Sequence, residues 1–298
     1  MSGPNVQVTA LCSLQVSICG LCGESLKVLL DSQPAAATVE DTAGRLPLHV
    51  AVDKNKPWLR LIATLVAAYP DGCKSRDGDY VALIICCVHL PYLAGGGRLP
   101  IHIAVDRNNP SIEVVRLLIS TYPDGAVMRR GVGRLPIHYA VFYDHPNLEV
   151  VNFLLETYPT GAKLVDVYGR LPLHYAVDRA RPNLDVVKTL LHVFPDGVFA
   201  KDTLSRSPLS IAVDHGEPMP VEVLRILVAA YPISVKEKGP MGKLPLLIAV
   251  ETARPSLACV RFLAQSYPDA ISCGAVDGKE DTPLSTCRAR GLEYLERE

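Results

Sequence analysis

The chain has 298 residues, 49% of them hydrophobic and 20% charged, which is enough apolar material for a substantial core and too much for a disordered polypeptide. Its formal net charge is −1 with an isoelectric point near 6.7, so the basic footprint selected by nucleic acid or an anionic membrane surface is missing. No basic-then-apolar leader, no usable Asn-x-Ser/Thr acceptor and no charge-free stretch of the ~20 residues that span a bilayer is present, and the expectation is a soluble intracellular protein, cytoplasmic or nuclear.

Near the start, Cys19 and Cys22 form a CxxC pair in "CGLC". A zinc site needs four ligands, and no second close Cys or His pair completes the set. The nine cysteines are scattered through a long chain, so reduced thiols are expected. Thiol or metal chemistry at Cys19 and Cys22 is kept as a lesser alternative. "ESLKVLLDSQP" (Glu24 to Pro34) aligns with "EVVRLLISTYP" (Glu113 to Pro123), and Pro34 precedes Gly44 by ten residues as Pro123 precedes Gly133. Residues 8–43 therefore read as a degenerate first repeat.

Six clearer copies occupy residues 44–280. They open as "GRLPLHVAV" at Gly44, "GRLPIHIAV" at Gly97, "GRLPIHYAV" at Gly133, "GRLPLHYAV" at Gly169, "SRSPLSIAV" at Ser205 and "GKLPLLIAV" at Gly242. From Gly97 onward the spacings are 36, 36, 36 and 37 residues, the range of a stacked array. Each unit continues through a Pro-containing break to a second apolar stretch ending in "YP" or "FP" and a Gly/Asp-rich loop. In "NLDVVKTLLHVFP" the apolar Leu184, Val187, Leu190, Leu191 and Phe194 recur at three and four, while Asp185, Lys188 and His192 fall opposite. This predicts a helix with one core face. Pro172 suits a first helical turn, and Pro182 and Pro195 mark places where helices cannot continue.

One spacing breaks the period. Gly44 and Gly97 are 53 residues apart, 17 more than 36, and the excess follows "YPDG". It contains "YVALIICCVHLPYLAGG" (Tyr80 to Gly96), an insertion at about 80–96 that is far more apolar than an exposed loop. Two readings stay open: a translated intron, or a real insertion. After the last copy, "GAVDGKEDT" (Gly274 to Thr282) has neither the glycine spacing nor the Ser or Thr of a phosphate-binding loop. Residues 281–298 begin like another repeat and end in charges, as a terminal cap does.

The run "GRLPLHxA" resembles the ankyrin repeat, whose usual opening is a Gly two residues before "TPLHxAA". The resemblance implies an all-α solenoid of stacked helix-turn-helix units with hairpin loops, arranged here as a single array over 8–298. It further implies a non-catalytic scaffold or adaptor that binds another protein on a concave face, with no cofactor, no metal, no nucleic acid and no membrane. The alternative is a regulatory subunit or inhibitor of an enzyme on another chain. The sequence departs from the family at the Thr before Pro, which is Leu46, Leu99, Leu135, Leu171 and Leu244; only Ser207 and Thr282 supply a capping hydroxyl. The period also exceeds the family's 33 residues, with extra length around "RARPNLD" and "YPDGA".

His49, His102, His138 and His174 form a column, but helices packed about 8–10 Å apart cannot bring neighbouring imidazoles onto one metal, whose ligands stand about 2 Å away. The resemblance makes them structural, bonding the helix start to the loops. Arg45, Arg98, Arg134, Arg170, Arg206 and Lys243 form a basic column. Eight residues later Asp53, Asp106, Asp178, Asp214 and Glu251 form an acidic one, interrupted only by Phe142. Recurring charges read as a solvated ladder worth ~0–1 kcal/mol per pair. A break in the column reads differently. Phe142 and Tyr143, beside Tyr139, Tyr175, Arg134 and Arg170, have the aromatic and arginine composition of interface centres, and these six are the candidate partner-binding residues; no catalytic residue is assigned.

Overall fold

The computed structural model describes residues 28, 30–54, 56–78, 97–215, 219–273 and 282–290. Each motif proline opens a short helix: Pro47–Val52, Pro100–Val105, Pro136–Ala140, Pro172–Val177, Pro208–Asp214, Pro245–Glu251 and Pro283–Ala289. Proline costs nothing there, because the first N–H groups of a helix have no partner within it. A longer second helix follows in the repeats: Leu59–Ala68, Ile112–Thr121, Leu148–Thr157, Leu184–Val193, Val221–Ala230 and Leu257–Ser266. Each ends one residue before an aromatic–proline pair, as the predicted helix over 184–194 does at Val193.

Leucine at the cap leaves a job undone, and the motif histidine does part of it. The backbone N–H groups of Leu46, Leu99, Leu135 and Leu171 donate to Nδ1 of His49, His102, His138 and His174 at 3.1, 3.3, 3.1 and 3.0 Å. In two repeats without the histidine, Ser207 and Thr282 cap with their hydroxyls, accepting from Ser210 and Ser285 N–H, whereas the helix that follows Leu244 has no side-chain cap.

The "YPDG" words, expected as loop, form 3-10 turns, among them Pro123–Val127, Pro159–Lys163, Pro195–Phe199 and Pro232–Lys236. The aromatic ring before the proline folds over the third residue of the turn. A Cβ at Gly197 would come within 3.0 Å of the Phe194 ring, which explains the glycine. In the turn Pro232–Lys236 this place is held by Ser234, 1% exposed, whose hydroxyl has no hydrogen-bond partner among the described residues. A buried unsatisfied hydroxyl is destabilising, so Ser234→Ala is expected to raise stability by about 1 kcal/mol. A urea midpoint that stays put or falls would show the hydroxyl to be satisfied.

The chain divides into two compact units. In the first, Met1–Ala140 with Glu149–Gly161, the helix Pro47–Val52 lies beside Pro100–Val105, which lies beside Pro136–Ala140, and the second helices Leu59–Ala68 and Ile112–Thr121 lie side by side. Val52, Ile62, Val105, Val115 and Leu135 are wholly buried there. In the second, Val141–Leu148 with Ala162–Glu298, the helices Pro172–Val177, Pro208–Asp214, Pro245–Glu251 and Pro283–Ala289 follow one another in the same way, backed by Leu184–Val193, Val221–Ala230 and Leu257–Ser266. Leu209, Val223, Leu224, Leu227 and Leu247 are its deepest residues. Among the described residues no strand forms. The expected hairpins are tight turns, with an isolated bridge between Arg130 and Arg134. Cys19, Cys22, most of the first repeat, the insertion 80–96, "GAVDGKED" and the end of the C-terminal cap lie outside the described residues.

Candidate functional site

The histidine column is structural. In addition to its Nδ1 bond, Nε2 of His102 meets the Met128 carbonyl at 3.0 Å and Nε2 of His174 meets the Ala200 carbonyl at 3.2 Å, each tying a first helix to the loop that follows its repeat. His49 bonds the Ser75 and Arg98 carbonyls in the same way, at 3.0 and 3.1 Å. All four rings are buried completely. With Nδ1 accepting, Nε2 carries the proton and the ring is neutral. Burial pushes His102 down to about 3 and His174 to about 4, against an ordinary value near 6.5.

The basic column works differently from a plain ladder of pairs eight residues apart. Arg45, Arg170 and Arg206 each close a turn begun by an aspartate four residues earlier, a column that the spacing argument missed. The Asp41 carboxylate accepts the N–H groups of Ala43 and Arg45 at 2.8 and 2.9 Å and the Arg45 Nε at 2.9 Å. Asp202 does the same for Leu204, Arg206 and the Arg206 Nε, each at 2.9 Å. Asp202 is 6% exposed and Asp166 and Asp77 are 5%, while Asp41 is half-buried with its carboxylate covered; the turns at Asp41 and Asp202 are thus satisfied ion sites closed by Arg45 and Arg206. The eight-residue pairs do form in Arg170–Asp178 at 3.3 Å and Lys243–Glu251 at 2.7 Å. Arg206 is turned to Asp202, and Asp214 is left without an ion pair among the described residues. Burial, together with the nearby Asp178 and Glu251, holds the Asp214 carboxyl above the ordinary carboxylate range.

The aromatic residues divide by burial. In the first unit Tyr139 is 7% exposed and packs edge-on against His102, with the Arg130 guanidinium 5.5 Å from its ring centre. Arg134, on the bridge with Arg130, is half-buried. In the second unit Tyr175 is 1% exposed, its hydroxyl donating to Asp166 at 2.5 Å and its ring 5.4 Å from the Arg170 guanidinium. Tyr139 and Tyr175 are thus packing residues with almost no surface for a partner to touch, because their position in the first helix is apolar in every repeat: Val50, Ile103, Ile211 and Ile248 occupy it elsewhere.

Phe142 and Tyr143 are half-buried and remain accessible. Their rings meet edge to face with centres 5.6 Å apart, and Phe142 also leans on Tyr175 at 5.8 Å. The Arg179 guanidinium covers the Phe142 ring at 4.1 Å. Sequence reading did not single out Arg179, although a signal was there. Arg107 and Arg290 share its register, and both reach back to the carbonyls that end the preceding first helix, Arg107 to Val52 at 2.8 Å and Arg290 to Thr252 at 2.8 Å. Cations suit helix C-termini. In the second unit Phe142 therefore lies in a cluster with Tyr143 at its edge, Arg179 over its ring and Tyr175 against it, and Tyr175 is itself held by Asp166 and Arg170.

The described residues offer little for chemistry. They contain no group of three or more His, Cys, Asp or Glu side chains placed to hold a metal, and no helix long and apolar enough to cross a membrane. Among the described residues, Cys73, Cys259, Cys273 and Cys287 form no disulfide. Burial pushes Cys73 up to about 11, the opposite of an activated nucleophile. Residues 101–199 match the family model of ankyrin repeats in three copies. No curated protein matches the chain.

Proposed function

We propose that the ankyrin repeats of this chain, an architecture that generally mediates protein–protein interaction, make it a non-catalytic scaffold or adaptor with its anchor at Phe142 and Tyr143. The observation that carries this reading is the break in the acidic column. Each of the other five motif copies places a carboxylate at that register; this one places a half-buried phenylalanine, stacked under Arg179 and braced by Tyr143. A column that is acidic wherever stacking alone operates is free to change only where another demand acts on it. Aromatic rings held rigid by neighbours lose little entropy on binding, which is why such residues dominate interface energetics. Arg170 and Tyr175 serve by holding the platform, and Arg134 is proposed as a separate contact in the first unit. Nine cysteines scattered along the chain suit reduced thiols and a reducing compartment, cytoplasm or nucleus.

Capture of the partner by the full chain, followed by titration, tests this. Phe142→Ala and Tyr143→Ala are each expected to weaken binding by more than about 1 kcal/mol. Asp106→Ala, which removes one side of the partly exposed Arg130–Asp106 pair at 3.4 Å, is expected to leave affinity nearly unchanged. Because Phe142 also touches Tyr175, melting is recorded in parallel, and Tyr143→Ala is the cleaner variant. Equal affinity for wild type and the double aromatic variant would remove the platform from the binding site.

A further inference from the structure

The repeat that is interrupted in sequence is not interrupted in space. In the turns that run from Asp41 to Arg45, Asp166 to Arg170 and Asp202 to Arg206, three residues separate aspartate from arginine, and the aspartate N–H donates to the arginine carbonyl at 2.9, 3.1 and 3.0 Å. Asp77 and Arg98 make the same bond at 3.0 Å with 20 residues between them. The Asp77 carboxylate also accepts the Arg98 N–H, and the Arg98 Nε at 2.8 Å, repeating the Asp41 and Asp202 sites. Contact with the neighbouring turn is kept too: the Gly78 N–H donates to the Gly44 carbonyl at 3.2 Å, one residue further along the turn than the Tyr168 carbonyl that accepts the Thr203 N–H at 2.9 Å. Gly97 sits so close beneath that a Cβ there would collide with the Asp77 carbonyl, and its own carbonyl accepts from Arg76 at 3.1 Å. The chain leaves the repeat after Gly78 and rejoins it at Gly97, with the backbone and side-chain bonds between aspartate and arginine made as in the uninterrupted turns.

We infer that residues 79–95 are a separable insert, the translation of an unexcised intron, and that the chain without them is the regular form of the array. Two observations join here. The bonds between Asp77 and Arg98 close the turn with described residues alone. The arithmetic of the sequence then fits excision: removing the 17 residues leaves "SRDGGGRLPIH", with three residues between Asp77 and Arg98, and restores a spacing of 36 from Gly44 to Gly97. The removed stretch, "DYVALIICCVHLPYLAG", is a long apolar run where the corresponding turns carry only two residues, "TA", "VY" or "TL", between the aspartate and the motif Gly or Ser. Glycines at both ends allow the splice. A GGT codon at Gly78 contains the GT that begins an intron. A GCA codon at Ala94, followed by the first G of the Gly95 codon, supplies the closing AG. The leftover G of the first codon and last two bases of the second again encode glycine, so the reading frame and the residue are both preserved.

The test has a protein arm and a transcript arm. The full chain with residues 79–95 deleted is expected to fold, with helical circular dichroism per repeat unchanged and a urea midpoint equal to or above that of the parent. Transcript reads are expected to include a species joined between the Gly78 and Gly95 codons, over genomic DNA carrying GGT and GCA at the stated positions. A deletion variant that is unfolded, a genomic sequence with other codons at Gly78 or Ala94, or deep transcript coverage with no joined reads would each overturn the inference. Partner binding plays no part in either arm, so the outcome is independent of the proposed scaffold function.

Discussion

Leu190→Ala is expected to lower the stability of the second unit by about 2 to 5 kcal/mol. Leu190 is 2% exposed on the helix Leu184–Val193, where with Val186, Val187 and Leu191 it forms the face turned to the first helix of its own repeat and to the second helix of the next. Its carbonyl also accepts the Phe194 N–H at 2.9 Å, the bond that closes the helix before Pro195. The cost has two parts, the lost transfer energy of the removed carbons and the cavity they leave, since helices bonded on both sides collapse little. In a repeat array each unit is stabilised chiefly by its neighbours, so a loss at this depth weakens coupling along the stack as well as the helix itself. Urea unfolding followed by far-ultraviolet dichroism is expected to show an earlier midpoint and a broadened or split transition. Leu204, a turn residue 61% exposed in the same unit, provides the contrast: Leu204→Ala is expected to cost less than about 0.5 kcal/mol. A sharp and unshifted transition for Leu190→Ala would mean that this helix contributes no packing energy.

What could be seen in the sequence, and what could not, follows from the range of each interaction. Helix starts were legible because proline acts on its own residue, and the core face of 184–194 because a helix repeats every 3.6 residues. The aspartate column at Asp41, Asp166 and Asp202 was legible in principle, at a constant four residues before the basic column, but it is broken by Arg130, by Gly239 and by the insertion after Asp77, and a search anchored on the motif words passes over it. Tyr139 and Tyr175 could have been recognised as core from the apolar residues that share their position. Their aromatic character suggested surface chemistry instead. Arg179 was legible as a basic position shared with Arg107 and Arg290, but not its contact with Phe142, which joins two repeats. The insertion is the reverse case: its boundaries were set by periodicity, but only the closed bond from Asp77 to Arg98 reveals that the repeat is whole beneath it.

Acidification from pH 7.5 to pH 5 is expected to cost the fold about 4 kcal/mol through His102 and His174 alone. Both rings are fully buried and neutral, with Nδ1 accepting a backbone N–H and Nε2 bonded to a carbonyl. A second proton would have to go on Nδ1, where it faces the N–H of Leu99 or Leu171 and not an acceptor. Burial therefore holds His102 at about 3 and His174 at about 4, against the Met128 and Ala200 carbonyls and the nearby Asp202 that pull the other way. In the unfolded chain both titrate near 6.5. The folded values lie below the unfolded ones, so below pH 6.5 the unfolded state takes up protons that the folded state refuses. The stabilisation is complete above pH 6.5 and is lost as pH falls toward 4, at about 2 kcal/mol per ring by pH 5. His49, lowered by burial in the same way, adds to the loss. The aspartates of the turns do not confuse the window: Asp41 and Asp202, raised by burial but lowered further by bonds from Arg45 and Arg206, end below their ordinary 3.8, so their stabilisation disappears only at stronger acid. Urea midpoints measured at half-unit intervals between pH 7.5 and 5 should fall steeply below 6.5. A midpoint that is flat or rises over that interval would mean that the histidine column is open to protons, and that the first helices are held by something other than these buried bonds.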